Sequence, residues 1–134
     1  MQAGQVEHLT PGREAVMLEN IAWSFSLLRA TYRTNEAARV YAYLLNNRDY
    51  DISPVNARII WRNEDLDEIH RDSATSERIR SKMSEEVCRS EFLLSDDLQG
   101  QECSVVLEVE VGGNWLPAHN ATFRVEDVGS RTIN

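Results

Sequence analysis

The densest run of residues that could ligate a metal or move a proton is Glu64–His70, EDLDEIH. On a helix, Asp67 and His70 stand at i, i+3 and could present a carboxylate oxygen and an imidazole nitrogen to one ion. The same run also fits a solvated helix face, and no second cluster supplies the remaining ligands at a recognisable spacing. No metal or other cofactor is assigned, and Asp67 and His70 stand as the candidate pair. His8 and His119 are isolated in the chain.

Nucleophilic chemistry has even less local support. The motifs G-x-S-x-G, G-x-G-x-x-G, H-E-x-x-H and the phosphate-binding P-loop are all missing. Cys88 and Cys103 lie in no C-x-x-C or other ligand spacing and read as free thiols, with a single bridge between them as the alternative in an oxidising compartment. The paired acids Glu64-Asp65, Glu85-Glu86 and Asp96-Asp97 are neighbours in the chain, whereas acid–base catalysis needs two carboxyl groups whose surroundings separate their pKa values. The expectation is a protein that is not an enzyme.

Aromatic residues point towards binding instead. Trp23 and Trp61 lie in apolar patterns and read as core, while Trp115 follows Gly112-Gly113-Asn114 at the tip of an expected hairpin. There it either offers a partner an exposed ring or folds back over Leu116 and Pro117. The chain has 134 residues with 22 acidic against 14 basic side chains, a formal charge of −8 that repels nucleic-acid backbones and anionic membranes. Arg58, Arg62, Arg78, Arg80 and Lys82 are interleaved with acids and form no basic patch. A protein partner is expected, a basic one fitting best. No apolar run is long enough to cross a bilayer, and Met1–Gly12 lacks the order of a signal peptide, so a cytoplasmic location is expected. Asn120-Ala121-Thr122 is a glycosylation sequon to which no role is assigned.

The elements that must position these residues are unevenly written. Residues 1–13 read as a flexible arm ending in Pro11-Gly12, and 14–134 as one globular domain. From Glu14 to Tyr32 two periods compete. Leu18, Ile21, Phe25, Leu28 and Tyr32 make a helical stripe, whereas Ile21, Trp23, Phe25 and Leu27 alternate as a strand. Asn35–Asn46 is similarly divided between helix-prone Glu36–Arg39 and strand-like Val40–Leu45. Val55, Ala57, Ile59 and Trp61 share one face of a half-buried strand opened by Pro54. Asn63–Glu86 is rich in charge and reads as a helical or mobile insertion, with Ile79 and Met83 packing down at i, i+4. Strands return in Cys88–Leu94, in Ser104–Val111 with Val105, Leu107, Val109 and Val111 on one face, and in Ala121–Glu126 with Phe123 and Val125 inward.

The succession Leu98–Val105, Val106–Val109 and Phe123–Val128 resembles the end of an immunoglobulin-like β-sandwich. The resemblance covers residues 88–128 and extends back towards Val40. It departs from that family in having Glu102 two residues past the turn glycine, where many members carry tyrosine, and in lacking the Cys…Trp…Cys spacing. It implies a scaffold that binds partners through loops or sheet faces. The expected fold is therefore an all-β or β-rich, immunoglobulin-like antiparallel sandwich with a charged helical insertion near 63–86, and the expected function a non-catalytic protein-binding or assembly module. Two alternatives stay open. One is an α+β regulatory or inhibitory protein with two N-terminal helices, acting on a basic, nucleic-acid-binding partner. The other is a metal-dependent enzyme built on residues 64–70.

Overall fold

A computed structural model describes residues 21–27, 29–52, 54–111 and 113–127. The expected arm over 1–13, His8 and the helix-prone start at Glu14–Glu19 lie outside these residues. Within them the chain runs through β1 (Ile21–Leu27), β2 (Thr31–Tyr32), β3 (Ala37–Asn46), β4 (Val55–Arg62), β5 (Glu68–Ser76), β6 (Ser84–Leu93), β7 (Glu102–Val111) and β8 (Asn114–Val125). A single 3-10 turn spans Asp96–Leu98. A three-stranded sheet ordered β1-β3-β6 faces a five-stranded sheet ordered β2-β8-β7-β4-β5, so the protein is an all-β sandwich. All pairings are antiparallel except that of the short β2 with β8, which is parallel.

Period-two patterning explains why these segments pair. In β4, Val55, Ala57, Ile59 and Trp61 are buried while Asn56, Arg58 and Arg62 are half-buried on the other face. In β7, Val105, Leu107 and Val109 turn inward, and in β8 Phe123 and Val125 join them. Val40, Ala42 and Leu44 of β3 supply the core face of the smaller sheet. Each large apolar side chain removed from water this way contributes about 1.5–3 kcal/mol before entropy is subtracted. The β7–β8 hairpin closes with Val111 opposite Asn114, and its turn residue Gly113 has φ +85°, a left-handed conformation that side chains disfavour.

Two expectations are corrected. The undecided segments are strands: β1 and β3 pair along their length, Ile21 opposite Asn46 through Leu27 opposite Val40, which removes the α+β alternative with two N-terminal helices. The charged helical insertion at 63–86 is also absent. Residues 63–67 form a turn in which Asn63 Oδ1 accepts the N–H groups of Asp65 and Asp67, and the chain then returns antiparallel to β4 as β5. Ile79 and Met83 do not pack as a helical pair. Ile79 is buried through a bridge to Ile52, and Met83 is exposed.

One buried polar residue ties the loops at one end together. Asn46, fully buried at the end of β3, donates from Nδ2 to the carbonyls of Tyr50 (2.9 Å) and Ile79 (3.1 Å). Its Oδ1 accepts the Arg48 N–H at 2.9 Å. Its backbone N–H bonds Met83 O at 3.0 Å, and its carbonyl accepts from Lys82 N at 2.8 Å.

Candidate functional site

Among the described residues, serine, histidine and aspartate converge at the seam where β5 of the larger sheet lies beside β6 of the smaller. Strand alternation turns His70 and Asp72 of β5 towards this seam, and Trp61 and Ser90 approach from β4 and β6. Trp61 Nε1 donates to Ser90 Oγ at 2.8 Å. Ser90 Oγ in turn donates to Asp72 Oδ2, which also lies 3.0 Å from His70 Nε2. The His70 ring stacks on Phe92, with centroids 5.1 Å apart and planes 19° from parallel. Ser90 is buried, while His70 and Asp72 open onto a groove of about 380 Å³ rimmed by Arg39, Tyr41, Arg89 and Glu91.

The order of this relay decides its chemistry. A serine nucleophile needs its proton taken by a base and an oxygen lone pair free to attack. Here the carboxylate stands between serine and imidazole, so Asp72 and not His70 accepts the Ser90 proton, while one of the two Ser90 lone pairs accepts the indole N–H. The network satisfies buried polar groups across the sandwich and presents a carboxylate–imidazole pair to a groove. The rim is neutralised as well, with Arg39 on Glu91 at 2.8 Å and Arg89 on Glu86 at 2.7 Å.

The helical juxtaposition of Asp67 and His70 does not occur. Asp67 is exposed in the turn before β5, whereas His70 lies inside the strand and meets Asp72. Among the described residues no group of three or more His, Cys, Asp or Glu side chains could hold a metal ion. His119 is exposed on β8, where its ring meets Phe25 edge-on at 5.4 Å. The cysteines are buried free thiols, on β6 and β7 respectively. Burial pushes both thiols up to about 11, with Asp72 adding to the shift at Cys88 and Glu64 at Cys103. A thiol whose folded pKa is raised keeps its full stabilising effect below the unfolded value near 9.0 and loses it as pH climbs to about 11. Native protein at pH 8 is therefore expected to leave both thiols unmodified by a maleimide or disulfide reagent, and urea to release them together; fast labelling of the folded protein would contradict this.

Trp115 neither projects from the hairpin tip nor folds over Leu116 and Pro117. It is half-buried on the outward face of the larger sheet, beneath Arg58, whose guanidinium carbon sits 4.1 Å from the ring centroid. The register explains the meeting, since Arg58 lies opposite Glu108 and Trp115 opposite Glu110. Arg58 Nε donates to Glu108 Oε1 at 2.7 Å, and both side chains are only about a fifth exposed. Beside them a polar ladder crosses three strands: Thr75 Oγ1 donates to Asn56 Oδ1 at 2.6 Å, and Asn56 Nδ2 donates to Glu110 Oε1 at 2.8 Å. Ile60 and Val106, opposite one another on this same outward face, are buried. Arg58, read from the sequence as part of a mixed-charge surface, is thus an ordered element of a built face. Ser90 and Glu108 carry no local signal, because their partners Asp72 and Arg58 lie 18 and 50 residues away in the chain, and Asp72 meets His70 at i, i+2 only because 68–76 is a strand.

Fold and sites together define a β-sandwich domain with a polar seam on one side and an ordered aromatic and charged sheet face on the other. No protein-family model matches the chain, and no curated protein matches it in sequence. Solved structures share its architecture. The sporulation control protein Spo0M of Bacillus subtilis is 16% identical, with a TM-score of 0.54 over 80% of this chain and 49% of its own. The alkylpurine DNA glycosylase AlkC of Pseudomonas fluorescens is 13% identical, with a TM-score of 0.56 over 84% of this chain and 32% of its own. A CARDB domain from Pyrococcus furiosus, in complex with di-metal ions, is 11% identical, with a TM-score of 0.53 over 79% of this chain and 85% of its own. At such identities the likeness concerns the fold. The chain spans about half of Spo0M and about a third of AlkC.

Proposed function

We propose that this domain is a non-catalytic protein-binding or assembly module that meets its partner with the outward face of the larger sheet, centred on Trp115 and Arg58. The observation that carries this reading is the ordering of that face: Arg58 is held between the Trp115 ring and Glu108, beside the Thr75–Asn56–Glu110 ladder. Tryptophan and arginine are the side chains on which interface energy concentrates, and immobilising them before contact lowers the entropy cost of binding. The surplus of acids, 22 against 14, favours a basic protein over nucleic acid or an anionic membrane. Parallel pairing of β2 with β8, and the order β1-β3-β6 against β2-β8-β7-β4-β5, support an immunoglobulin-like sandwich. Structural neighbours in which the matching region is part of a longer chain support a modular use. Unbridged buried cysteines favour a reducing, cytoplasmic setting, and among the described residues no helix is long and apolar enough to cross a membrane.

Affinity capture with the wild-type chain, Trp115→Ala and Arg58→Ala tests the reading. A specific protein retained by wild type is expected to bind each variant at least about tenfold more weakly, the usual effect of truncating an interface anchor. Ser95→Ala, far from this face, should bind as wild type. Equal retention by Trp115→Ala with an unchanged far-ultraviolet dichroism spectrum would discard this face as the binding surface.

A further inference from the structure

The two sheets have four edges, and three of them are protected. β2 offers only two residues. β5 carries Glu68, Arg71 and Asp72, and β6 carries Glu85, Glu86, Arg89 and Glu91, the charged and short devices that discourage strand addition. β1 is different. Its seven residues, IAWSFSL, contain no charge and no proline. One side of β1 is paired with β3 from end to end, and among the described residues no strand pairs with the other side. Every second residue of an antiparallel strand directs its N–H and C=O to the far side, and among the described residues no strand takes up this row of donors and acceptors on β1.

From this edge we infer that the protein forms a two-fold homodimer by antiparallel pairing of β1 with β1 of a second copy. The strand is nearly symmetric in character about its midpoint, Ser24. Ala22, Ser24 and Ser26 are small and exposed, while Trp23 and Phe25 are half-buried and pack against the core. Centring the pairing on Ser24 places Ile21 across from the partner's Leu27, Ala22 across from the partner's Ser26, and Trp23 across from the partner's Phe25. The two-fold axis repeats each match, giving two aromatic cross-strand pairs on the inner face and only small residues on the outer one, with no like charges opposed. Two three-stranded sheets become one continuous sheet. An unrelated partner strand would need no such symmetry in β1, which is why a second copy is the occupant. This inference stands apart from the Trp115 face, which lies on the other sheet.

Light scattering coupled to sizing, at about 0.15 M salt so that repulsion between the acidic chains is screened, tests it. The mass is expected to rise from one chain towards two across roughly 1–200 µM protein, bracketing a micromolar dimer. Ser24→Lys places two ammonium groups opposite one another at the axis and should weaken the dimer at least about tenfold. Ser73→Lys, at an exposed position of β5, should leave it unchanged. Ser24→Cys should form an intermolecular disulfide on mild oxidation, which the buried native cysteines do not provide. A monomer at every concentration overturns the inference, as does a dimer that tolerates Ser24→Lys. A dimer lost with Trp115→Ala but kept with Ser24→Lys assigns self-association to the other sheet and overturns it too.

Discussion

Asn46→Ala is expected to lower the free energy of unfolding by about 3 kcal/mol, because the substitution strips hydrogen bonds from backbone groups that are sequestered from water. The side chain satisfies the carbonyls of Tyr50 and Ile79 and the N–H of Arg48, and alanine replaces none of them. Two of these partners belong to the loop after β3, while Ile79 belongs to the segment bridged to Ile52. Loss is therefore expected to loosen both stretches before the sandwich itself opens, and hydrogen exchange should show this as early deprotection around residues 48–52 and 79–83. Asn46→Asp makes the sign testable. A carboxylate facing two carbonyls is favoured in its protonated form, so its folded pKa lies above the unfolded one. The variant should be most stable at low pH and lose stability as pH rises through the folded value. Urea denaturation of the variants at pH 4 and pH 7 checks both statements; a loss below about 1 kcal/mol would show that water replaces the amide.

Trp61→Ala is expected to cost about 3–5 kcal/mol, the range for removing a large aromatic side chain from a packed interior. That is a large share of the roughly 5–15 kcal/mol by which domains are stable. Trp61 is fully buried and bridges the sheets, with its ring 5.6 Å from Phe92 of β6 and 5.8 Å from Phe123 of β8. The indole N–H contributes separately. Trp61→Phe keeps most of the apolar area but removes the donor to Ser90, and Ser90→Ala removes the acceptor and also deprives Asp72 of a hydroxyl donor. The two single losses should exceed the loss in the double variant when added, since each breaks the same bond. Strict additivity in a double-mutant cycle would mean that the relay across the seam contributes nothing as a unit.

Strands with one large apolar face were legible from residues alone. The alternation of Val55, Ala57, Ile59 and Trp61, of Val105, Leu107 and Val109, and of Phe123 and Val125 places inward the same side chains that the structure buries, while the side chain of Val111 lies outside those described. β1 and β3 were ambiguous because a run such as Val40–Leu45 has apolar residues on both faces, half-buried on one and fully buried on the other. Such a run satisfies both periods, and only pairing decides between them. β5 was misread for the opposite reason. As an edge strand over the seam it turns Asp72, Ala74 and Ser76 inward, so its alternation is carried by small and polar side chains that leave no hydropathy signal, while its charges suggested a helix. The seam and the Arg58–Trp115 face were hidden because each is assembled by register between distant strands. His70 and Trp115 were singled out, but for arrangements the fold does not use. Of their actual partners, Asp72 stands two residues on along the same strand and follows once 68–76 is a strand, whereas Arg58 follows from β4–β7–β8 pairing.

The parallel pairing of Thr31 and Tyr32 with Arg124 and Val125 has a mechanical meaning. Tension entering along the backbone before β2 and leaving after β8 would pull these two strands past each other along their length. Their hydrogen bonds would then bear the load together instead of opening one at a time, as they would at the end of an antiparallel hairpin. The Tyr32 ring, packed edge-on against Phe123 at 5.6 Å, sits where that sliding would begin and acts as a catch.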